Sequence, residues 1–376
     1  MKVIKTERPL AYDLISVIAI VYIMYVLKPL IVPLIIASIL SVMVFPIVRF
    51  LETKLRFNRI ISALSVLLIL SIISLIFFSF LFYQIKDFAE KSDMYAGKLG
   101  ELYQKILTYV EHNFGMNKKL LANSNEFKIE NILKNNFSKI GTLISESSSL
   151  IGDIFLIPIY IFFFLLYRKF FITFIHKAFT RKNNVHLNII LSKIYDVQKN
   201  YLVGLVTVMG IVGVLNSLGL LILGIDNAIF FGFLGAILLL IPYIGIIIGS
   251  LLPALVALAT KDSYWYSIGV IGVFGFVQIL EGNFITPKIT GSKVSVNSFI
   301  AVVALVAFSM LWGTTGMILA LPVTASLKII FDHSVNLKPY GFLIGEPLDE
   351  HLKSAAMIRL KKWKMIRMKK RFKLSS

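Results

Sequence analysis

The sequence predicts an all-α, polytopic membrane protein, and three observations carry that reading. Hydrophobic residues make up 57% of the 376 and charged residues only 16%, against about 45–50% and about 25% in soluble domains. Mean hydropathy is +0.82. Apolar blocks recur at about the 20-residue length that crosses roughly 30 Å of hydrocarbon. Two further blocks are too long for one crossing and are interrupted near their middles.

Taken in order, the apolar blocks are Ala11 to Leu27, Leu30 to Phe50, Ile60 to Tyr83, Leu150 to Tyr167, Tyr201 to Leu223, Ala228 to Thr260, Ser263 to Leu280 and Ser298 to Phe331. The basic N-terminus runs into the first block without a small-residue cleavage site, so that block reads as a retained helix. Lys2, Lys5 and Arg8, then Arg49, Lys54, Arg56 and Arg59, then the cluster from Arg168 to Lys199 flank alternate blocks. The positive-inside rule places all three, the N-terminus and the two loops, in the cytoplasm. The ten Lys and Arg from Lys353 to Lys373, with no acid among them, place the C-terminus there as well. That tail, with Trp363 and Phe372 among its cations, suits anionic lipid at the inner face.

Residues 84–149 form the one sizeable connection on the other side, with nine lysines, eight acids and no arginine. Leu99, Leu102, Ile106, Val110 and Phe114 recur at helical spacing, and Phe127, Ile132, Leu133, Phe137, Ile140 and Ile144 do so again. Two amphipathic helices outside the cytoplasm are the expectation. The chain therefore divides into three spans (1–83), this extracytoplasmic region (84–149), a core with the two long runs (150–335) and a basic tail (336–376).

At 1.5 Å per residue each long run would be about 50 Å as one helix. The first, 228–260, is interrupted by Pro242, Tyr243, Gly245 and Gly249; the second, 298–331, by Gly313, Thr314, Thr315 and Gly316. Unwound backbone at membrane depth is tolerated only where protein or a cavity surrounds it, and paired Gly/Pro breaks point to a transport path. Either both runs are kinked spans, giving eight crossings, or both are re-entrant hairpins, giving six. Hairpins also bring Lys288 and Lys293 inside, which favours them.

Polar groups at risk of burial supply the candidates for chemistry. Gln278, Glu281 and Asn283 fall in "QILEGNFITPK", where the short block ends and a loop is expected. A carboxylate at membrane depth is costly unless paired or wet, so Glu281 is the candidate for proton or ion coupling. Asn216 and Ser217 are expected to hydrogen-bond between helices, and Asp226 and Asn227 to cap the first long run. With no cysteine, disulfides, thiolate metal sites and cysteine nucleophiles are excluded. His112, His176, His186, His333 and His351 show no ligand spacing, and no P-loop, GxGxxG or GxSxG is present. No metal, cofactor or enzymatic activity is expected. The +19 charge sits beside apolar segments and in the tail, so nucleic acid is not an expected partner.

Three stretches, "LLLIPYIGIIIGSLLPALVAL", "EGNFITPKITGSKVSVN" and "GTTGMILALPVTASLKIIFDH", resemble in order and spacing the signature segments of the autoinducer-2 exporter family, bacterial inner-membrane permeases that include PerM. The resemblance implies a secondary transporter in the cytoplasmic membrane that exports a small polar solute such as autoinducer-2, coupled to an ion. It also implies homo-oligomers, and sodium or lithium/proton antiport as the alternative activity. Carried over, it marks Pro242, Gly245 and Gly249; Glu281, Asn283, Pro287 and Gly291; and Gly313, Gly316 and Pro322. Ile246 departs from it, standing where many relatives have proline. A non-transporting scaffold or receptor acting through residues 84–149 is the reading from another class.

Overall fold

The computed structural model describes residues 10–114, 148–179, 184–240, 244–289 and 296–346, and those residues are helical with short connections. They divide into two compact units, Met1–Leu187 with Gln198–Lys293, and Asn188–Val197 with Val294–Ser376. Five helices are long and apolar enough to cross a membrane, or six if one bent pair counts as a single span. The described residues thus form an all-α polytopic membrane protein.

In the first unit, α1 (Leu10–Val26) exposes nearly all of its apolar surface, while α2 (Lys28–Thr53), α3 (Arg59–Phe114) and α4 (Ser148–Leu166) share a core. Ala37, Val44 and Val48 of α2 meet Ala63 and Val66 of α3 and Ile161 and Leu165 of α4. Small and β-branched residues at these positions let the helices approach closely. Many large apolar side chains of α2 and of α3 up to Tyr83 are exposed, as lipid contact requires. The third span and the start of the region expected outside the cytoplasm are one element. α3 runs unbroken to Phe114, carrying Leu99 and Leu102 of the expected amphipathic stretch; residues 115–147, the expected second amphipathic helix, lie outside the described residues.

After α4 the chain bends by 72° into α5 (Arg168–Phe179). α6 (Asn184–Ile222) then leads to α7 (Ala228–Leu238), α8 (Ile244–Thr260) and α9 (Trp265–Ile289). α7 and α8 are the halves of the first long run. A Cβ added to Gly249 would lie 2.9 Å from the Cα of Gly235, and one on Gly245 would collide with the carbonyl of Leu238. Residues 14 apart in one straight helix would be about 21 Å apart. The run is therefore folded back on itself as a helical hairpin, its two backbones touching where glycine leaves room.

Its base is held by Asn227, which is a correction to the capping role read from sequence. Asn227 sits in the left-handed region at φ 54 and makes no side-chain cap bond. Its Nδ2 instead donates to Gln84 Oε1 at 2.9 Å and Asp87 Oδ2 at 2.8 Å on α3. Asp87 also accepts from Lys91 at 2.8 Å, and that bond holds the ammonium above its usual pKa range. Phe88, Tyr95 and Leu99 extend the contact, packing in one core with Phe231, Ala257, Val270 and Phe274.

The second unit holds the other long run as α10 (Ser298–His333), followed by α11 (Lys338–Ile344). Gly313 breaks α10 with φ 68 and ψ −145, backbone angles that in practice only glycine adopts. A Cβ on Gly316 would collide with the carbonyl of Phe308, which a straight helix would set about 12 Å away. The two ends of the run agree. Asn297 accepts from Ile300 N at 2.8 Å to cap the first arm, while its Nδ2 donates to the carbonyls of Leu343, Ile344 and Gly345 at 2.6, 3.1 and 2.9 Å. The second run is also a hairpin, with Trp312 buried at its bend beside Phe308.

Replacing Gly313 by alanine should lower stability by about 1–3 kcal/mol, the cost of holding such a residue in that backbone region. Gly272, inside α9 with no atom within 4 Å of an added Cβ, is the control, and its alanine variant should be neutral or stabilising. Thermal melting of both variants in detergent checks this; equal melting temperatures would argue against a glycine-only bend.

Candidate functional site

The first hairpin turns at a cleft built by four helices. Val212 and Asn216 of α6, Gly235 of α7, Gly245 of α8 and Phe274, Val277 and Gln278 of α9 line it together with Leu239, which comes directly after α7. Leu239 and Gly245 flank the break. Room for about one water molecule lies between these walls. The wall is apolar: Val208 and Val212, one turn apart on α6, pack with Ala236 of α7 and Val277 of α9. Gly235 admits the ring of Phe274, whose edge would lie 2.7 Å from an added Cβ.

Two polar side chains interrupt that wall. Asn216 is 3% exposed, and its Oδ1 has no hydrogen-bond partner. Of the pair expected to bond between helices, Ser217 does so and the Asn216 oxygen does not. Its neighbour Ser217 reaches the carbonyl of Ile229 at 3.4 Å, and α7 comes so close that a Cβ on Gly232 would collide with Ser217. Gly232 lets the two backbones approach, and Asn216 lines the cleft with its amide oxygen buried and unpaired.

Gln278, the second polar side chain, donates from Nε2 to Glu281 Oε2 at 2.7 Å. Thr286 Oγ1 donates to the other carboxylate oxygen. Glu281 is not in a loop, as the sequence had suggested. The helix continues to Ile289, with a π-helical turn over Glu281–Ile285. Single π turns are frequent at functional sites. Here the turn places Gln278, Glu281 and Thr286 within reach of one another, so the carboxylate is half-buried and held by neutral donors. The line of polar groups therefore runs from the cleft, through Gln278, to Glu281 and Thr286.

The other expected site residues are spread over both units. Gly245 lines the cleft and Gly249 closes the hairpin behind it, whereas Pro242 and Tyr243 lie outside the described residues. Asn283 is exposed and its Nδ2 donates to the Ile279 carbonyl at 2.9 Å. Pro287 is exposed; Gly291 lies outside the described residues. In the second unit, Gly313 is the bend, Thr314 is exposed, Thr315 half-buried and Gly316 buried against Phe308, with Pro322 buried in the second arm. Among the described residues, no group of three or more His, Cys, Asp or Glu could hold a metal ion.

The profile of the AI-2E family transporter matches residues 14–336. The chain belongs to the AI-2E transporter family. Two provisionally named transport proteins are similar to it, YrrI of Bacillus subtilis, 32% identical over 39% of this chain and 41% of that one, and one from Haemophilus influenzae, 31% identical over 39% and 43%. The AI-2 transport protein TqsA of Escherichia coli is 22% identical over 42% of this chain and 45% of its own. These matches span about two-fifths of the length of the curated relatives. With five or six helices long and apolar enough to cross a membrane, the chain is a multi-pass membrane protein.

An orphaned buried acceptor costs about 1–3 kcal/mol. Asn216→Leu, close in shape, should therefore leave thermal stability in detergent unchanged or raise it by up to about 1 kcal/mol, despite removing a buried polar group. A drop of more than about 2 kcal/mol would show that the oxygen is paired.

Proposed function

We propose that this chain is a secondary transporter that moves a small polar solute across the bacterial cytoplasmic membrane, with Glu281 carrying the coupling proton. The observation that supports it is Gln278, which lines the cleft at the hairpin's break together with Asn216 and hydrogen-bonds to Glu281. Buried polar groups without partners are expensive, and are retained where a passing ligand supplies the missing bond. The basic N-terminus, the basic loops and the basic tail support an inner-membrane setting with both termini in the cytoplasm. The name of TqsA supports autoinducer-2, a compact polar signalling molecule, as the kind of solute exported.

The mechanism rests on the hydrogen bonds. As a carboxylate, Glu281 accepts from Gln278 and Thr286. Once protonated it becomes a donor, so one of those two donors must turn away, and Gln278 is free to present its amide to the cleft. Loading a proton thus changes what the cleft offers a solute. Alternation of access then needs the hairpin to shift against its neighbours, as in transporters with broken helices.

A second reading has its own support. The cleft has room for about one water molecule, and its associated charge is a single carboxylate, dimensions that suit exchange of sodium or lithium for protons without an organic cargo.

Flux in proteoliposomes loaded with a pH-sensitive dye separates the two. Solute uptake accompanied by proton movement is the expected result. Glu281→Gln should then lose its pH-dependent component by roughly ten- to a hundred-fold, the value of one charge-assisted hydrogen bond, with melting unchanged. Full pH dependence in that variant removes Glu281 from the mechanism, and proton movement driven by sodium or lithium alone selects the antiporter.

A further inference from the structure

The elbow between α4 and α5 lies apart from the transport site and has a role of its own. α4 has 19 residues, about 28 Å of helix and close to the hydrocarbon thickness, so α4 is long enough to cross without α5, with the 72° bend then at the membrane surface. The bend is fixed on α2. Arg168 donates to both carboxylate oxygens of Glu52 at 2.8 and 2.5 Å and lies 5.3 Å from the ring centre of Phe45. Phe171 then packs on Phe164 with ring centres 5.5 Å apart.

At 100° per residue, α5 separates cleanly. Phe170, Phe171, Ile172, Phe174, Ile175 and Phe179 occupy one side, and Lys169, Thr173, His176 and Lys177 the other. No residue of α5 is buried, and Phe170, Phe174 and Phe179 are 67%, 58% and 74% exposed. Ile159 and Phe163 of α4 and Tyr167 at the bend are exposed as well. α5 has no acid of its own. With Arg168 matched by Glu52, Lys169 and Lys177 are its exposed cations.

We propose that α5 is an interfacial helix, lying in the bilayer surface with its phenylalanines at the headgroup–acyl boundary and Lys169 and Lys177 against anionic phospholipid headgroups. A water-facing helix would not display three phenylalanines on one side; an amphipathic helix tethered to a span does so at a lipid surface. Its charge is complementary to anionic lipid and its length, about 18 Å, lies along the membrane rather than through it. Glu52 acts as a positioning residue that holds the angle.

The chain has no cysteine, so single substitutions at positions 169 to 179 place one nitroxide each on the full-length protein in phosphatidylcholine vesicles with or without phosphatidylglycerol. Labels on Phe170→Cys, Phe174→Cys and Phe179→Cys should be open to oxygen and shielded from a water-soluble nickel chelate. Those on Lys169→Cys, Thr173→Cys and Lys177→Cys should be several-fold more open to nickel. Phosphatidylglycerol should deepen the label at 174, and Lys169→Gln with Lys177→Gln should abolish that deepening. Nickel access at 174 would place α5 in water, exclusion of both reagents there would mean that protein covers it, and oxygen-rich, nickel-poor labels at 169 and 177 would put α5 inside the hydrocarbon; each overturns the proposal. Equal depth at 174 in both lipids would overturn the part played by anionic headgroups.

Discussion

Everything in this fold depends on how a helix is allowed to stop inside a membrane. Hydrocarbon offers no water to the last carbonyls and first amides of a helix, so each stop must be backed by protein or open on a polar space. Both long runs meet that demand in the same way, by folding back so that one arm shields the other. The shielding needs backbones in contact. Gly235 against Gly249 and Leu238 against Gly245 supply it in the first hairpin, and Gly316 against Phe308 supplies it in the second.

Closing a hairpin this tightly also fixes what lies at its bend. In the first unit the glycine seam leaves no side chain to fill the space beside Gly235 and Gly245, so the gap is completed by α6 and α9, which bring Asn216, Phe274 and Gln278. The site is thus a consequence of the closure. A bulky residue at Gly249 would displace the two arms and with them the wall that faces Asn216. The base is secured separately, by Asn227 bonding to α3, so the arms can respond to events at the bend while their root stays in place.

The apolar blocks were legible in the sequence because hydrocarbon thickness imposes their length, and the breaks were legible because proline and glycine are rare where helices must continue. The reversal of the chain at those breaks was not settled by sequence. It depends on contacts such as Asn297 with residues 343–345, which charge alternation only hints at. Asn227 was read as a cap because Asn before a helix usually is one; its partners lie 140 and 143 positions earlier, beyond any local pattern. The polar stretch around Glu281 looked like a loop for a good physical reason, since polar residues with Gly282 and Pro287 among them usually end an apolar helix. A π turn lets this helix carry them onward. Asn216 was visible as a polar residue in an apolar run, but its missing partner is a property of three other helices.

The hydrogen bonds around Glu281 fit the proposed role of a group that changes state. A permanent carboxylate at this depth would be best matched by a cation, yet Gln278 and Thr286 are neutral donors. The two neutral donors occupy both carboxylate oxygens and tie the π turn to the helix on either side of it. A lysine in the same place would fix the carboxyl in its charged form, which the proposed coupling role could not use. On the same proposal the unpaired oxygen of Asn216 leaves an acceptor for a ligand. Asn216 and Gln278 share the wall of the cleft, and Glu281 lies one helical turn beyond Gln278.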